Sequence, residues 1–333
     1  MTDECVTRNY DYGVLNSNGA ARGKELGNRG SIIADDNTDA KGCTPESVVV
    51  GGANATAASA SPLPANKFVA RMPVERYASE YNMNHKQRGL ALIFNHEHFD
   101  IPSLKSRTGT NVDAQELKKA LDSLGFTVSV HKDCKLRDIL KHIEKAAEQD
   151  HTDNDCLAVA ILSHGEHGYL YAKDTQYKLD NIWHYFTASF CPSLAGKPKM
   201  FFIQACQGDR LDGGITLEKS VTETDGESSM SYKIPIHADF LFSYSTIPGY
   251  FSWRNINNGS WYMQSLIREL NTNGKKYDML TLLTFVNQRV ALDFESNVPA
   301  TPMMDRQKQI PCLTSMLTRI LRFGDKPKGN KAG

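Results

Sequence analysis

The sequence predicts an α/β fold with a mostly parallel central sheet and helices on both faces. Three observations lead to this prediction. Short, continuous apolar runs recur along the chain, as expected of strands buried on both faces. Stretches with apolar residues at helical spacing separate these runs, and strands that alternate with helices form parallel βαβ units. At 333 residues and 40% hydrophobic content, the chain can bury one large core or two modest ones.

The first half of the chain alternates between strand and helix. An apolar run over 88–95 predicts the first buried strand. The stretch 111–124 has leucines at helical spacing and acidic residues in its first turn, which predicts a helix. A strand over 126–130 and a second helix over 136–147 follow. The apolar run over 156–162 is too short for most helices and predicts another buried strand.

The middle of the chain is less regular. A small hairpin is predicted over 168–174 and a helix over 179–186. The segment 192–198 then leads to a further apolar run at 200–203. From 207 to 232 the chain is rich in Asp, Glu, Ser, Thr and Gly. A long polar interruption inside a compact domain is usually functional or disordered.

The last third of the chain predicts a strand over 240–245 and helices over 260–270 and 278–294. The first of these helices is followed by an Asn-Gly pair, as a C-cap would be. The final element, over 312–323, mixes apolar and polar positions and is compatible with either a strand or a helix.

Composition excludes several classes of protein. The 38 basic and 38 acidic residues balance, so no general attraction to nucleic acid or to an anionic membrane is expected. No apolar run approaches the roughly 18 residues of a membrane span, and the polar N-terminus is unlike a signal peptide. The seven cysteines are scattered without a C-x-x-C pair, which favours reduced thiols. We therefore expect a cytoplasmic protein that uses no cofactor and no metal.

The apolar run at 200–203 ends in Gln204-Ala-Cys206-Gln-Gly208. This pattern predicts a buried strand that delivers a thiol at its carboxyl end, where open α/β sheets keep their functional groups. Most free cysteines are simply small buried residues. Against that reading, the strand stops at the thiol, and Gly208 permits a tight turn.

A histidine stands at the matching place upstream. The run over 156–162 ends in Ser163-His164-Gly165. If the two strands are neighbours in a parallel sheet, both side chains emerge at the same edge. There an imidazole can take the proton of the thiol or hold a thiolate.

The string Gln-Ala-Cys206-Gln-Gly, with His164 some forty residues upstream, resembles the signature of the caspase family. The resemblance extends from about 68 to 323 and is strongest to the insect effector caspases, the fruit-fly executioners. It implies a cysteine endopeptidase that cleaves proteins after Asp. It also implies synthesis as a zymogen, activation by cleavage at internal Asp sites, and an executioner role in apoptosis.

Catalytic roles follow from the residues together with this resemblance. Cys206 is the predicted nucleophile and His164 the acid/base. The backbone N–H groups of Cys206 and Gly165 are expected to bind the oxyanion, since glycine permits close approach. In the family, a backbone carbonyl orients the histidine, and this place maps to Lys105.

The resemblance also implies a pocket for the aspartate side chain of the substrate. Planar guanidinium groups recognise a buried carboxylate well because they can form two hydrogen bonds to it. Taken singly, each arginine is more often a surface residue. The predicted substrate-binding residues are Arg107, Ser163, Gln204, Phe251, Ser252, Trp253, Arg254 and Trp261, the last as an aromatic wall for the P4 side chain.

Processing sites are predicted where Asp precedes a small residue in a polar stretch. Residues 1–39 are expected to be a propeptide, and the polar composition predicts disorder as far as about 66. The large subunit would span 40–225 and the small subunit 226–333. The candidate cleavage sites are Asp39, Asp212 and Asp225.

The expected partners are protein substrates with exposed Asp sites, an upstream initiator caspase and inhibitor-of-apoptosis proteins. The expected assembly is a homodimer of large and small subunit pairs.

Three alternatives stay open at this stage. They are a metacaspase-like or legumain-like protease of other specificity, an inactive homologue that acts by binding, and a thiol redox protein. The histidines at 96 and 98 could suggest a metal site, but no third ligand follows at a suitable spacing, which favours ordinary loop histidines.

Overall fold

The computed structural model describes residues 72–214 and 235–326, which all belong to one compact unit. Asp39 and Asp225 lie outside these residues, as does the segment predicted to be disordered. In chain order the elements are β1 (Leu90–Asn95), α1 (Thr110–Ser123), β2 (Thr127–Lys132), α2 (Leu136–Ala147), β3 (Leu157–Leu162), β4 (Gly165–Glu166), β5 (Tyr169–Tyr171), β6 (Gln176–Tyr177), α3 (Asp180–Trp183), β7 (Lys199–Gln204), β8 (Phe240–Tyr244), β9 (Arg254–Asn255), β10 (Gly259–Ser260), α4 (Trp261–Asn273), α5 (Met279–Asp293) and β11 (Cys312–Ser315).

A six-stranded sheet forms the centre of the molecule, in the order β11-β8-β7-β3-β1-β2. All neighbours are parallel except β11, which pairs antiparallel with β8. Every residue of β3 and of β7 is buried. This burial explains why both strands are continuous apolar runs rather than alternating ones. The predicted fold class is confirmed.

Two cores lie on opposite faces of the sheet. In β3, Ala158 and Ala160 belong to one core while Val159 and Ile161 belong to the other. The first core includes the apolar faces of α1, α4 and α5, and the second includes those of α2 and α3. Strand side chains alternate between faces, so an all-apolar strand requires helices on both sides.

Several predicted boundaries differ from the structure. The predicted helix over 179–186 is a single α-turn, α3, followed by a 3₁₀ turn over His184–Phe186. The predicted hairpin over 168–174 is part of a three-stranded sheet, β4-β5-β6. Gly274 occupies the C-cap of α4, but with a right-handed φ of −56° rather than a left-handed one. Of the ambiguous segment over 312–323, only Cys312–Ser315 is a regular strand.

Within the described ranges, no helix is long and apolar enough to cross a membrane.

Candidate active site

The two central strands place the predicted cysteine and histidine side by side. β3 and β7 are parallel neighbours, and Leu162 is level with Gln204. His164 and Cys206 each lie two residues beyond this matched pair, so both emerge at the same carboxyl edge of the sheet. The turns that carry them touch, since a Cβ added to Gly165 would lie 2.6 Å from the carbonyl oxygen of Cys206. Only glycine fits at that position.

The thiol of Cys206 is partly buried and faces the backbone of Ser252. The Ser252 N–H lies 3.4 Å from Sγ, and the Ser252 carbonyl oxygen lies 3.8 Å from it. Burial raises the pKa of Cys206, while the Ser252 backbone and the charges of Arg107 and Arg254 oppose this rise. The resting group is therefore a thiol that needs a base, rather than a preformed thiolate.

His164 is oriented by a backbone carbonyl, as the resemblance implied. Its Nε2 lies 2.8 Å from the carbonyl oxygen of Lys105. A carbonyl can only accept, so Nε2 carries the proton and Nδ1 keeps a free lone pair. Burial lowers the pKa of His164, and the nearby arginines lower it further. The imidazole is thus neutral and able to take a proton through Nδ1.

The backbone near the thiol offers a donor for a developing oxyanion. Within residues 72–214 and 235–326, the Cys206 N–H donates to no acceptor. Gly165, the second predicted donor, lies against Cys206 as described above. A backbone donor without an internal partner beside a nucleophile is the usual composition of an oxyanion hole.

Two guanidinium groups from distant parts of the chain meet beside the thiol. Arg107 is 1% exposed, and it donates to the carbonyl oxygen of His96 at 2.9 Å and to Oγ1 of Thr110 at 2.8 Å. Burial and the charge of Arg254 lower the pKa of Arg107 to about 9. Arg254 donates through Nε to the carbonyl oxygen of Thr108 at 3.0 Å. Two partly desolvated cations at one place favour the binding of an anion.

Gln204, at the end of β7, is the third residue predicted for this pocket. It is 2% exposed, and its Nε2 lies 2.8 Å from Oγ of Ser252, while its Oε1 is buried without a partner among the described residues. A hydroxyl can donate as well as accept. If the amide is turned by 180°, the Ser252 hydroxyl donates to Oε1. The amide N–H groups of Gln204 are then free to donate to another acceptor.

Aromatic residues stack beside the segment 251–254, which the resemblance assigns to substrate binding. Trp253 stacks on Trp261 with ring centroids 5.6 Å apart, and Trp261 stacks on Phe294 at 5.5 Å. The Phe251 N–H donates to the carbonyl oxygen of Arg210 at 2.9 Å, and this bond holds the start of the segment 251–254. Trp253 and Trp261, both predicted, thus form one stack with Phe294, while the substrate role of Phe251 stays a prediction.

Ser163 lies beside His164 as predicted, but its side chain is buried. It is 2% exposed, and its hydroxyl donates to the carbonyl oxygen of Tyr171 at 2.5 Å. In this arrangement the side chain supports the small hairpin sheet. A substrate role for Ser163 stays a prediction.

Two residues of the site could not be found from the sequence. Gln309 accepts from the Trp253 N–H and donates to the carbonyl oxygen of Ser245, each at 2.6 Å. It therefore holds the segment 251–254 in place. Asp113 accepts from the backbone N–H and the hydroxyl of Ser260, directly opposite Arg254 in the β9-β10 ladder. Burial raises the pKa of Asp113 to about 6. The only sequence signal for Asp113 was its place in the first turn of α1.

The metal alternative finds no support in the part of the chain that the structure describes. No group of three or more His, Cys, Asp or Glu residues there could hold a metal ion. His96 is fully buried, and its Nε2 donates to the carbonyl oxygen of Cys134 at 3.0 Å. His98 is exposed, with Nδ1 3.3 Å from Oγ of Ser106.

Comparison with known proteins agrees with this geometry. Residues 88–322 match the family model of the caspase domain, peptidase C14. The chain is 88% identical to Caspase-1 of Drosophila melanogaster over 333 residues, which is all of both chains. It is 70% identical to Caspase drICE of the same organism over 260 residues, covering 78% of this chain and 77% of the relative.

A solved structure shows the same fold. The crystal structure of Caspase-1 from Spodoptera frugiperda superposes with a TM-score of 0.73 at 65% sequence identity, covering 78% of this chain and 99% of that one. The paired arginines and the intact Cys and His disfavour the other protease specificities and the inactive homologue considered above. The chain belongs to the caspase family and is a cysteine endopeptidase that cleaves after aspartate.

Proposed function

We propose that Cys206 and His164 perform the peptide hydrolysis of this caspase, which is made as a zymogen and acts as an executioner in apoptosis. The observation that carries the proposal is the register of β3 and β7, which brings the two side chains to one edge. The bond from His164 to the Lys105 carbonyl leaves Nδ1 as the free base.

The first half of the reaction forms an acyl-enzyme. Nδ1 of His164 takes the proton from Sγ of Cys206, and the sulfur attacks the carbonyl carbon of the scissile bond. The negative charge moves to the carbonyl oxygen, where the N–H groups of Cys206 and Gly165 stabilise it. Protonated His164 then gives its proton to the departing amine, and the C–N bond breaks to leave a thioester.

The second half releases the acid product. Neutral His164 takes a proton from a water molecule, and the oxygen of that water attacks the thioester carbonyl. The same backbone donors hold the oxyanion. Collapse of the intermediate breaks the C–S bond and returns the proton to Cys206, so the enzyme leaves the cycle unchanged.

The arginine pair sets the preference for aspartate at P1. Burial and the charge of Arg254 lower the pKa of Arg107, and a carboxylate that binds between the two guanidinium groups offsets their repulsion. Neither Lys nor Asn offers this compensation. Purified, processed protein should therefore cleave fluorogenic tetrapeptides that end in Asp, and should leave matched peptides ending in Lys or Asn intact. Comparable cleavage of the Lys or Asn peptides would contradict the pocket assignment.

We also propose 1–39 as propeptide, 40–225 as large subunit and 226–333 as small subunit. Support for the main cut at Asp225 comes from the state of the alternative, Asp212. The Asp212 carbonyl accepts from the Lys308 N–H at 2.8 Å, and its carboxylate accepts from the Gly214 N–H at 2.9 Å. A peptide must be extended and accessible to enter a protease cleft, and Asp212 is held at the surface by these bonds. Thr222-Glu-Thr-Asp225 carries an acidic P3 residue before its Asp.

Asp225→Ala should therefore prevent maturation while Asp212→Ala leaves it largely intact. We expect the unprocessed Asp225→Ala protein to lose most of its activity, since the uncut chain cannot reorganise its ends around Cys206. Electrophoresis and N-terminal sequencing after incubation with an initiator caspase would measure this. Normal fragments from Asp225→Ala, or a block from Asp212→Ala alone, would show that the main cut is elsewhere.

The remaining partners are proposals that rest mainly on the family. β11 lies at the end of the sheet, a position that can pair with a second copy, and we propose a homodimer of large and small subunit pairs. Sedimentation of the processed protein as one such pair would contradict this. We further propose a cytoplasmic location, activation by an initiator caspase and inhibition by inhibitor-of-apoptosis proteins at the newly exposed Ala40 end. Cell fractionation, and binding assays with and without cleavage at Asp39, would test these points.

A further inference from the structure

The orientation of His164 depends on more than its bond to Lys105. One hydrogen bond fixes one ring nitrogen, but it leaves the plane of the imidazole free to tilt. The side chain of Phe99 packs directly against that ring, with centroids 5.0 Å apart and an interplanar angle of 48°. No role in the reaction described above has been given to Phe99.

A second imidazole also packs against Phe99. The His96 ring stacks on it with centroids 6.1 Å apart and an interplanar angle of 25°. His96 is itself fully buried and tied to the carbonyl oxygen of Cys134. Burial lowers the pKa of His96 to about 4, so this support stays neutral at physiological pH. The Phe99 ring thus contacts both a fixed imidazole and the catalytic one.

The backbone on both sides of Phe99 is also held. The carboxylate of Asp133 accepts from the N–H groups of Glu97 at 2.6 Å and His98 at 3.0 Å. On the other side, the Asp100 N–H donates to the carbonyl oxygen of Lys173 at 2.7 Å. Loop residues are usually mobile. Hydrogen bonds at Glu97, His98 and Asp100 therefore hold the backbone on both sides of Phe99 in place.

We propose that Phe99, backed by His96, is a positioning residue that sets the plane of the His164 imidazole and excludes water from one side of it. The loop from 96 to 107 then supplies three separate parts of the site. These are the Phe99 ring, the Lys105 carbonyl and the Arg107 guanidinium. The histidine at 96, a metal candidate from sequence alone, has a structural reason to be buried here.

The proposal has a consequence for the pH dependence of the reaction. Burial is the largest cause of the lowered pKa of His164, and the Phe99 ring provides part of that burial. The other groups that face His164 are Arg107 and Arg254, which also lower its pKa, and Cys206 from the neighbouring strand. Removing the ring lets water reach the imidazole, so the pKa of His164 should rise towards its ordinary value. Protonated His164 cannot accept the thiol proton, and the acidic limb of kcat/KM should therefore move to higher pH.

The test compares processed Phe99→Ala, Phe99→Leu and Phe99→Tyr proteins. We expect kcat to fall about tenfold or more for the alanine variant, with KM within about twofold, because orientation rather than substrate binding is lost. The kcat of Phe99→Leu should lie between those of the wild type and Phe99→Ala. Phe99→Tyr keeps an aromatic ring and should keep most of the wild-type kcat. Phe190→Ala serves as the matched control, since Phe190 is an exposed aromatic residue away from the site.

The pH profile separates this role from a merely structural one. Alkylation of Cys206 by iodoacetamide, measured against pH in the same proteins, reports the Cys-His pair without substrate. If Phe99→Ala folds poorly, the same alkylation profile is measured on Phe99→Leu, and a thermal melt shows whether that variant is folded. An unchanged acidic limb with unchanged kcat would overturn the proposal. A raised KM with an unmoved limb would overturn it too, since that result would place Phe99 in contact with substrate.

Discussion

Cys206→Ser should reduce hydrolysis of peptides ending in Asp by more than about a thousandfold while the protein stays folded. A serine hydroxyl ionises far less readily than a thiol, and neutral His164 in a partly buried site is a weak base. The fold should tolerate the change. Among the described residues, the Cys206 side chain forms two hydrogen bonds, both to the backbone of Ser252, and a hydroxyl can form the same ones.

The measurement is kcat/KM with a fluorogenic substrate, alongside a thermal melt and circular dichroism. The protein should be matured by an added caspase, so that loss of autoprocessing is not mistaken for loss of catalysis. Cys134→Ser is the matched control, since Cys134 is another free and partly exposed cysteine in the described chain and its sulfur lies near the Lys132 carbonyl oxygen. Activity that survives in Cys206→Ser, or that falls equally in Cys134→Ser, would remove Cys206 from the role of nucleophile.

The centre of the fold could be predicted because burial on both faces leaves a clear pattern in sequence. β3 is apolar throughout and β7 is apolar between Lys199 and Gln204, and His164 and Cys206 each follow two residues after the end of their strand. The parallel direction of these strands then places His164 and Cys206 together. The pairing of β3 with β7 itself was an assumption that the register confirms.

The rest of the site depends on contacts that leave no periodic signal. Asp113 meets Ser260 across 147 residues, and Gln309 meets Trp253 across 56. A helix with one aspartate in its first turn looks the same whether that aspartate faces water or the hairpin that carries Arg254. The Lys105 carbonyl leaves no residue-type signal either, because a backbone group acts there, and it was located only through the family resemblance. Asp113 and Gln309 are identified only when the fold is known.

The uncertain segment over 312–323 shows a different limit. Its strand part is only four residues long and pairs on one side, with β8. Farther on, Ile320 and Arg322 each form a single bridge, to Glu80 and Asp278. An isolated bridge does not require alternating apolar and polar residues, as a longer strand does. The mixed polarity of this segment is therefore consistent with its structure, but it could not be assigned from sequence.

Arg254→Glu should lower kcat/KM for peptides ending in Asp by about a thousandfold or more. The substitution removes one of two cations from the pocket and places a carboxylate where the substrate carboxylate must bind, so attraction becomes repulsion. Most of the loss should appear in KM, since the Cys206–His164 pair is left in place. Arg254 is partly exposed, and its Nε forms one hydrogen bond, to the Thr108 carbonyl. Because the substitution removes this bond and buries no new group, the fold should tolerate it.

Two further variants make the Arg254→Glu result specific. Arg254→Lys keeps the charge but loses the planar pair of donors, so its activity should lie between those of the wild type and Arg254→Glu. Arg268→Glu makes the same charge change at an exposed position on α4 and should leave the kinetics near those of the wild type. Screening is weak in a partly buried pocket, and added salt should therefore rescue Arg254→Glu very little. If Arg254→Glu still cleaves efficiently after aspartate, the carboxylate is recognised by Arg107 and Gln204 alone, and the second guanidinium has another purpose.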